Sequence, residues 1–259
     1  MQEWKIAYVN NREVPVLISD EKEALLAAKA AGRAIVGLWR PEQAMDEISA
    51  AKYVVENVDD ATEDYLERVA RRHLGWPWRI CETERLVIRE MFADDFDEVW
   101  TNQIGLGFGS VEELEAYTKN QYTFYEFGFW ALVEKGSGKL IGVAGLKVPE
   151  EDAEGEIIKL VLDVSSWEEE KTSGNTEQNR EQEDADKRVI AEGSDEILEL
   201  GYHIFRRFRQ NGYAKEACEA ILQYGAEELG TTRFMVRIDK ENTISLRLAD
   251  SLGFKAGNV

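Results

Sequence analysis

Short apolar runs alternate with amphipathic ones through the first 80 residues. Val14–Ile18 is an apolar run that stops at Ser19-Asp20, a pair suited to capping a helix. Glu21–Ala31 is rich in Ala, Leu, Lys and Glu and stops at Gly32, so it predicts a helix. Ala34–Leu38 and Tyr53–Asn57 predict two further strands, with room for a short helix at Pro41–Ser49 between them. Thr62–His73 predicts a helix that ends near Gly75. Strand and helix alternating three times imply a small parallel sheet. Trp76-Pro77-Trp78 reads as a junction, since proline stops a helix and the tryptophans can plug an interface.

From Cys81 the pattern changes. Arg85–Glu90 predicts a strand, and Asp94-Asp95 open a helix through Trp100. Ser110–Tyr125 predicts a longer helix with Val111, Leu114, Tyr117 and Tyr122 on one face. Phe129–Glu134 and Leu140–Val148 flank Lys135-Gly-Ser-Gly-Lys139, a hairpin pattern. Glu156–Val164 is one more candidate strand. Glu168–Asp195 has few apolar anchors and reads as a mobile loop, either a solvated one or an acidic flap facing substrate. The last part predicts a strand at 196–205, a helix at Gly212–Leu229, a strand at Arg233–Asp239, a helix at Thr243–Leu252 and a final strand at Phe254–Val259.

Composition adds exclusions. The 259 residues carry 31 Lys+Arg and 51 Asp+Glu, a formal charge of −20. Nucleic acid and anionic membrane surfaces both want a basic face, so neither is expected as a partner. No apolar run approaches ~18 residues, so no membrane span is expected. The opening MQEWKIAYVNN lacks a basic-then-apolar layout, so the expected location is cytoplasmic. Cys81 and Cys218 do not make a disulfide framework, and with only His73 and His203 no metal site is expected. The charge is uneven. Residues 149–196 hold 17 acids against 5 bases, net −12, whereas residues 197–259 hold 8 acids and 9 bases, net +1. Arg206, Arg207 and Arg209 lie in that last quarter.

Their neighbours suggest a use. Arg209-Gln210-Asn211-Gly212-Tyr213-Ala214 joins a strand to a helix. Gly212 permits a tight turn, and the free N–H groups at the helix start point toward an anion. The residues together could form a pyrophosphate cradle or an ordinary loop, without the spacing of a Walker loop or a G-x-G-x-x-G dinucleotide loop.

The R-x-x-G-x-A spacing resembles the acetyl-CoA pyrophosphate loop of the GNAT N-acyltransferase superfamily. Glu199-Leu200-Gly201-Tyr202 upstream is similar to the E-L-G-Y strand of its ribosomal-protein-acetylating (RimJ/RimL-like) branch. Downstream, Asn242-Thr-Ile-Ser245, then Leu248, then Leu252-Gly253-Phe254 resemble that branch's last helix, and Glu84–Arg89 resembles its T-E-R-L-x-L-R opening. The resemblance covers about residues 82–254. It implies an α/β GNAT fold, a mixed and mostly antiparallel central sheet flanked by helices, at 81–259 with an acidic insert at about 149–196. A small parallel, Rossmann-like α/β unit at 1–80 would precede it.

The resemblance also implies the chemistry. A primary amine would attack the thioester of acetyl-CoA directly in a ternary complex, with no metal. Tyr202, His203 and Ile204 would bond the pantetheine amides. The N–H groups of Gln210, Asn211, Gly212, Tyr213 and Ala214, with the Arg209 side chain, would hold the pyrophosphate. Asn242 and Ser245 match positions along the pantetheine arm. Glu199 matches a strand position from which a carboxylate can take the proton, and His203 could relay one. Many members carry a general-acid tyrosine just after the last-helix leucine; here that residue is Ala249, leaving Tyr202, Tyr213 or solvent. An acidic surface favours cationic acceptors, a small-molecule or peptide amine.

One departure concerns the sheet. GNAT domains normally end in a strand that turns back after L-G-F, and six residues from Phe254 to Val259 leave no room for a hairpin. Arg233–Asp239 would then have an open edge. A homodimer could supply a strand, Glu156–Val164 could fill in, or the chain could be truncated. The competing function is a non-catalytic acyl-CoA-binding or sensing protein with a degenerate GNAT domain.

Overall fold

The computed structural model describes residues 1–42, 44–102, 106–149, 157–165 and 197–257. The expected loop at 168–195 lies outside them. The strands and helices run β1 (Gln2–Val9), β2 (Arg12–Ser19), α1 (Lys22–Ala30), β3 (Ala34–Leu38), β4 (Val54–Val55), α2 (Glu63–His73), β5 (Arg79–Glu82), β6 (Leu86–Arg89), α3 (Phe96–Thr101), α4 (Val111–Phe124), β7 (Phe129–Glu134), β8 (Leu140–Lys147), β9 (Ile157–Asp163), β10 (Ile197–Ile204), α5 (Tyr213–Glu227), β11 (Arg233–Asp239), α6 (Thr243–Ser251) and β12 (Lys255–Ala256). They fall into two compact units, residues 1–78 with 111–126, and residues 79–110 with 127–259.

The first unit is built on a four-stranded sheet in the order β1-β2-β3-β4. Strands β2, β3 and β4 are parallel, as the alternating pattern predicts. The sequence pattern did not reveal β1, which makes an antiparallel hairpin with β2. Its alternation is inverted. Trp4, Ile6 and Tyr8 point to solvent while the small Ala7 and the Val9 side chain enter the core. Asn10 and Asn11 both take positive φ, the backbone a two-residue hairpin turn needs and asparagine tolerates. One sheet face packs Val14, Val16, Ile18, Val36 and Leu38 against Leu66, Val69 and Ala70 of α2. The other packs Leu17 and Ile35 against Leu25 and Ala28 of α1. Helix α2 starts where the Thr62 hydroxyl accepts the Tyr65 N–H at 3.3 Å, and its charges, Glu63 and Asp64 first and Arg71 to His73 last, oppose the helix dipole. Helix α4 joins this unit through Tyr53–Thr123 hydroxyl contact at 3.4 Å and an Arg68–Glu126 ion pair at 3.2 Å.

The second unit holds an eight-stranded sheet in the order β12-β9-β11-β10-β8-β7-β6-β5. Every pairing is antiparallel except β10 with β11. Central β8 is buried at seven of its eight positions. Helix α5 lies close because of Gly225: a Cβ there would sit 2.8 Å from the Phe234 ring. Trp130, fully buried, meets Tyr224 of α5 edge to face. The question of the open edge is answered within the chain. Strand β9, drawn from the insert, pairs with β11 along seven residues, from Arg233↔Asp163 to Asp239↔Ile157. The short β12 then pairs with the far side of β9 at Lys255↔Val161.

Candidate active site

Strand β10 has two neighbours and treats them differently. It pairs with β8 over six residues, from Glu199↔Lys147 to Ile204↔Gly142. Its ladder with β11 has only three, ending at Glu199↔Met235. Beyond Glu199 the ladder between the two parallel strands ends, and among the described residues one backbone edge of residues 200–204 has no strand beside it. Tyr202, His203 and Ile204 therefore sit on the open edge of a V, where main-chain groups can take an extended ligand as a strand would.

The loop after β10 ends at the start of α5. Gln210 takes φ +64° and Gly212 φ +81°, two left-handed residues on either side of Asn211. The Asn211 side chain closes the turn by donating to the Phe208 and Arg209 carbonyls, each at 3.1 Å. The first intrahelical bond runs from Glu216 N–H to the Gly212 carbonyl at 3.2 Å, so the N–H groups of residues 212–215 precede the helix ladder. Backbone N–H groups at a helix start, Gly212, Tyr213 and Ala214 among them, are suited to an anion. The Arg209 side chain is turned back on the strand: Nε donates to the Ile204 carbonyl at 2.8 Å and Nη2 lies 3.5 Å from His203 Nε2. Burial, then the Arg209 charge, lowers the His203 pKa from its ordinary 6.5.

Asn242 caps α6, its side chain accepting the Ser245 N–H at 3.1 Å. Ser245 in turn lies near the Tyr202 side chain, whose hydroxyl is buried without a hydrogen-bond partner among the described residues. Burial raises the Tyr202 pKa above its ordinary 10.0. Ala249, one helical turn after Ser245, is 3% exposed and carries no acid group. Tyr213 is placed elsewhere: its hydroxyl bonds Glu134, and its pKa is raised chiefly by that carboxylate.

Glu199 is 7% exposed. Arg237 Nη2 on β11 lies 2.8 Å from its Oε2, and Lys147 Nζ on β8 lies 3.9 Å from the same oxygen. Sequence reasoning missed both cations. Their only signal is strand register, which needs the sheet order to be known. It also left unused Arg85 and Glu216, which meet at 2.7 Å beside the Gly212 turn. Among the described residues no group of three or more His, Cys, Asp or Glu side chains could hold a metal ion. No helix there is long and apolar enough to cross a membrane.

Splayed parallel strands, a glycine turn opening a helix and a capped last helix make up the candidate site. Residues 85–255 match the model of the acetyltransferase (GNAT) domain, and the chain belongs to that family of acetyltransferases. The protein YkkB of Bacillus subtilis strain 168 is 40% identical over 57 residues, 22% of this chain and 33% of that protein. The uncharacterized N-acetyltransferase p20 of Bacillus licheniformis is 35% identical over 57 residues, 22% of this chain and 32% of that protein. The chain thus spans about a third of the length of these curated relatives. A GNAT-family acetyltransferase structure from Bordetella pertussis superposes with a TM-score of 0.44 at 20% identity, over 69% of this chain and 89% of that one.

Proposed function

We propose that the protein is an acetyl-CoA-dependent N-acetyltransferase of the ribosomal-protein-acetylating branch, acting on a cationic primary amine by direct attack in a ternary complex. The observation that carries this is the parting of β10 and β11 after Glu199, next to the left-handed turn that opens α5. The residues suit the acyl donor: an open strand edge for pantetheine, backbone donors for pyrophosphate, and a buried Tyr202 hydroxyl beside them. Tyr202, His203 and Ile204 would hold the pantetheine, with Asn242 and Ser245 along it. Gln210, Asn211, Gly212, Tyr213 and Ala214 would meet the pyrophosphate, and Arg209 would reach it by leaving the Ile204 carbonyl. The donor supplies an activated acetyl thioester.

An amine must shed its proton to attack. Glu199, held between Arg237 and Lys147, is the carboxylate that would receive it, directly or through water. With alanine at 249, the Tyr202 hydroxyl, beside Ser245 of α6, would protonate the leaving thiolate. The acidic surface would draw the cationic acceptor. The chain is expected in the cytoplasm, with residues 1–80 as a separate domain and residues 81–259 as the acyltransferase.

Thiol release from acetyl-CoA across a panel of amines, polyamines and basic peptides tests the reading. Release with at least one cationic amine is expected. Ala249 and the paired Glu199 carboxylate favour a second reading, a binding or sensing module. CoA binding by calorimetry with no thiol release from any amine would select it.

A further inference from the structure

The T-E-R-L segment has no part in the chemistry above, yet Arg85 reaches the cofactor loop from it. Its Nη1 donates to the Asn211 carbonyl at 2.9 Å. Its Nε donates to Glu216 Oε2 at 2.7 Å, and its backbone N–H to Glu216 Oε1 at 2.9 Å. The guanidinium lies over the Tyr213 ring, 4.5 Å from the centroid. Thr83 adds a hydroxyl bond to Glu216, and the Tyr213 hydroxyl is tied to Glu134. One side chain therefore grips the residue before Gly212, the residue after it, and the first turn of α5. Gly212 itself passes close: a Cβ there would lie 3.4 Å from Arg85 Nη2.

We propose that Arg85 is the positioning residue of the pyrophosphate loop, and that it also cancels the Glu216 carboxylate at the anion site. This rests on the acyl-donor reading above. The argument has two parts. Gln210 and Gly212 are both left-handed, a backbone with several alternatives, and a planar fork that bonds the Asn211 carbonyl and the helix at once selects one of them. A carboxylate in the first turn suits the helix dipole but repels a bound phosphate, and the guanidinium neutralises it.

The test compares wild type with Arg85→Lys, Arg85→Ala and Arg85→Ala/Glu216→Gln, reading melting temperature, CoA affinity by calorimetry, and inhibition by pantetheine, which lacks the phosphates. An ammonium can still meet Glu216 but cannot also bond the Asn211 carbonyl and stack on Tyr213. Arg85→Lys should therefore keep the melting temperature yet bind CoA about tenfold more weakly, the order of one lost charge-assisted bond. Pantetheine inhibition should not change. Arg85→Ala should bind CoA more weakly still, and adding Glu216→Gln should recover part of that loss. Wild-type CoA affinity in Arg85→Lys, or CoA and pantetheine weakening together in step with melting temperature, would overturn the assignment. A wild-type chain that binds no CoA would instead sink the acyl-donor reading, and this proposal with it.

Discussion

At the scale of single residues, the tension lies in Glu199. A carboxylate that is to accept a proton is also one half of a buried ion pair with Arg237, the two side chains 10% and 8% exposed. Glu199→Gln should therefore do two things. If Glu199 is the base, kcat should fall far more than CoA affinity, and the acidic limb of the pH–rate profile should vanish. Independently, Arg237 loses its counter-ion, which costs about 3–5 kcal/mol for a buried pair. Glu199→Gln/Arg237→Met separates the effects: stability should return in urea denaturation while kcat stays low. A wild-type pH–rate profile in Glu199→Gln would exclude the base role. His203 gives a pH dependence of another kind. Its folded pKa lies below 6.5, because burial and Arg209 favour the neutral ring. Between the folded pKa and 6.5 the unfolded chain binds more protons than the folded one, so stability rises with pH through that window. The His203 penalty is absent above 6.5 and complete below the folded pKa. Urea midpoints measured in that range should have a shallower slope in His203→Gln than in wild type; equal slopes would place the ring in ordinary solvent.

At the scale of elements, the sheet of the second unit is closed by a strand from the insert. The run Ile157–Val164, apolar except at Lys159 and Asp163, was legible as a strand, and its place on the open edge of Arg233–Asp239 was one of three alternatives. Strand β9 is 40 residues before β10 in the chain, counting from Ile157 to Ile197, and only the register from Arg233↔Asp163 onward shows it beside β11. If β9 holds that edge, Leu162, 9% exposed, is a core residue. Leu162→Ala should then cost about 2–3 kcal/mol in urea denaturation, the lower part of the range for a leucine deleted from a packed core. A change within about 0.5 kcal/mol, usual for surface substitutions, would show that β9 leaves β11 bare in solution. Strand β1 was illegible for the opposite reason. Its large apolar residues, Trp4, Ile6 and Tyr8, lie on the exposed side, so a reading that assigns bulk to the core finds no strand. The turn into α5 was the most legible element, because glycine takes a left-handed turn readily and a helix start exposes donors whatever surrounds them. The pairing of Glu199 with Arg237 depends on strand order and register, and spacing along one chain carries neither.

At the scale of the whole molecule, charge and site are separated along the sequence. The chain carries −20, of which residues 149–196 contribute −12 and the loop-bearing last quarter +1. A ligand approaching from solution meets the summed field before it meets any pocket, and the field would act oppositely on an anionic donor and a cationic acceptor. On the proposed function a polyamine or basic peptide would be attracted, whereas CoA, an anion, would be held back until it reached the backbone donors before α5. The contrast is measurable because salt shortens the reach of the field, from about 30 Å at 0.01 M to about 8 Å at 0.15 M ionic strength. Over that range kcat/KM for a triamine acceptor should fall by roughly three- to tenfold, within the span that steering gives to association rates. A neutral analogue, an amine of low pKa presented as its free base, should change little. Replacing the acids of residues 168–195 by Gln and Asn removes most of the insert's negative charge without touching any residue of the proposed site. In that variant the triamine should lose most of its salt dependence and the CoA affinity should stay the same or tighten. Equal salt slopes for charged and neutral acceptors in the wild-type chain would mean that the acid-rich insert has no part in choosing the amine. Acceptor choice would then rest on short-range contacts around Glu199 alone.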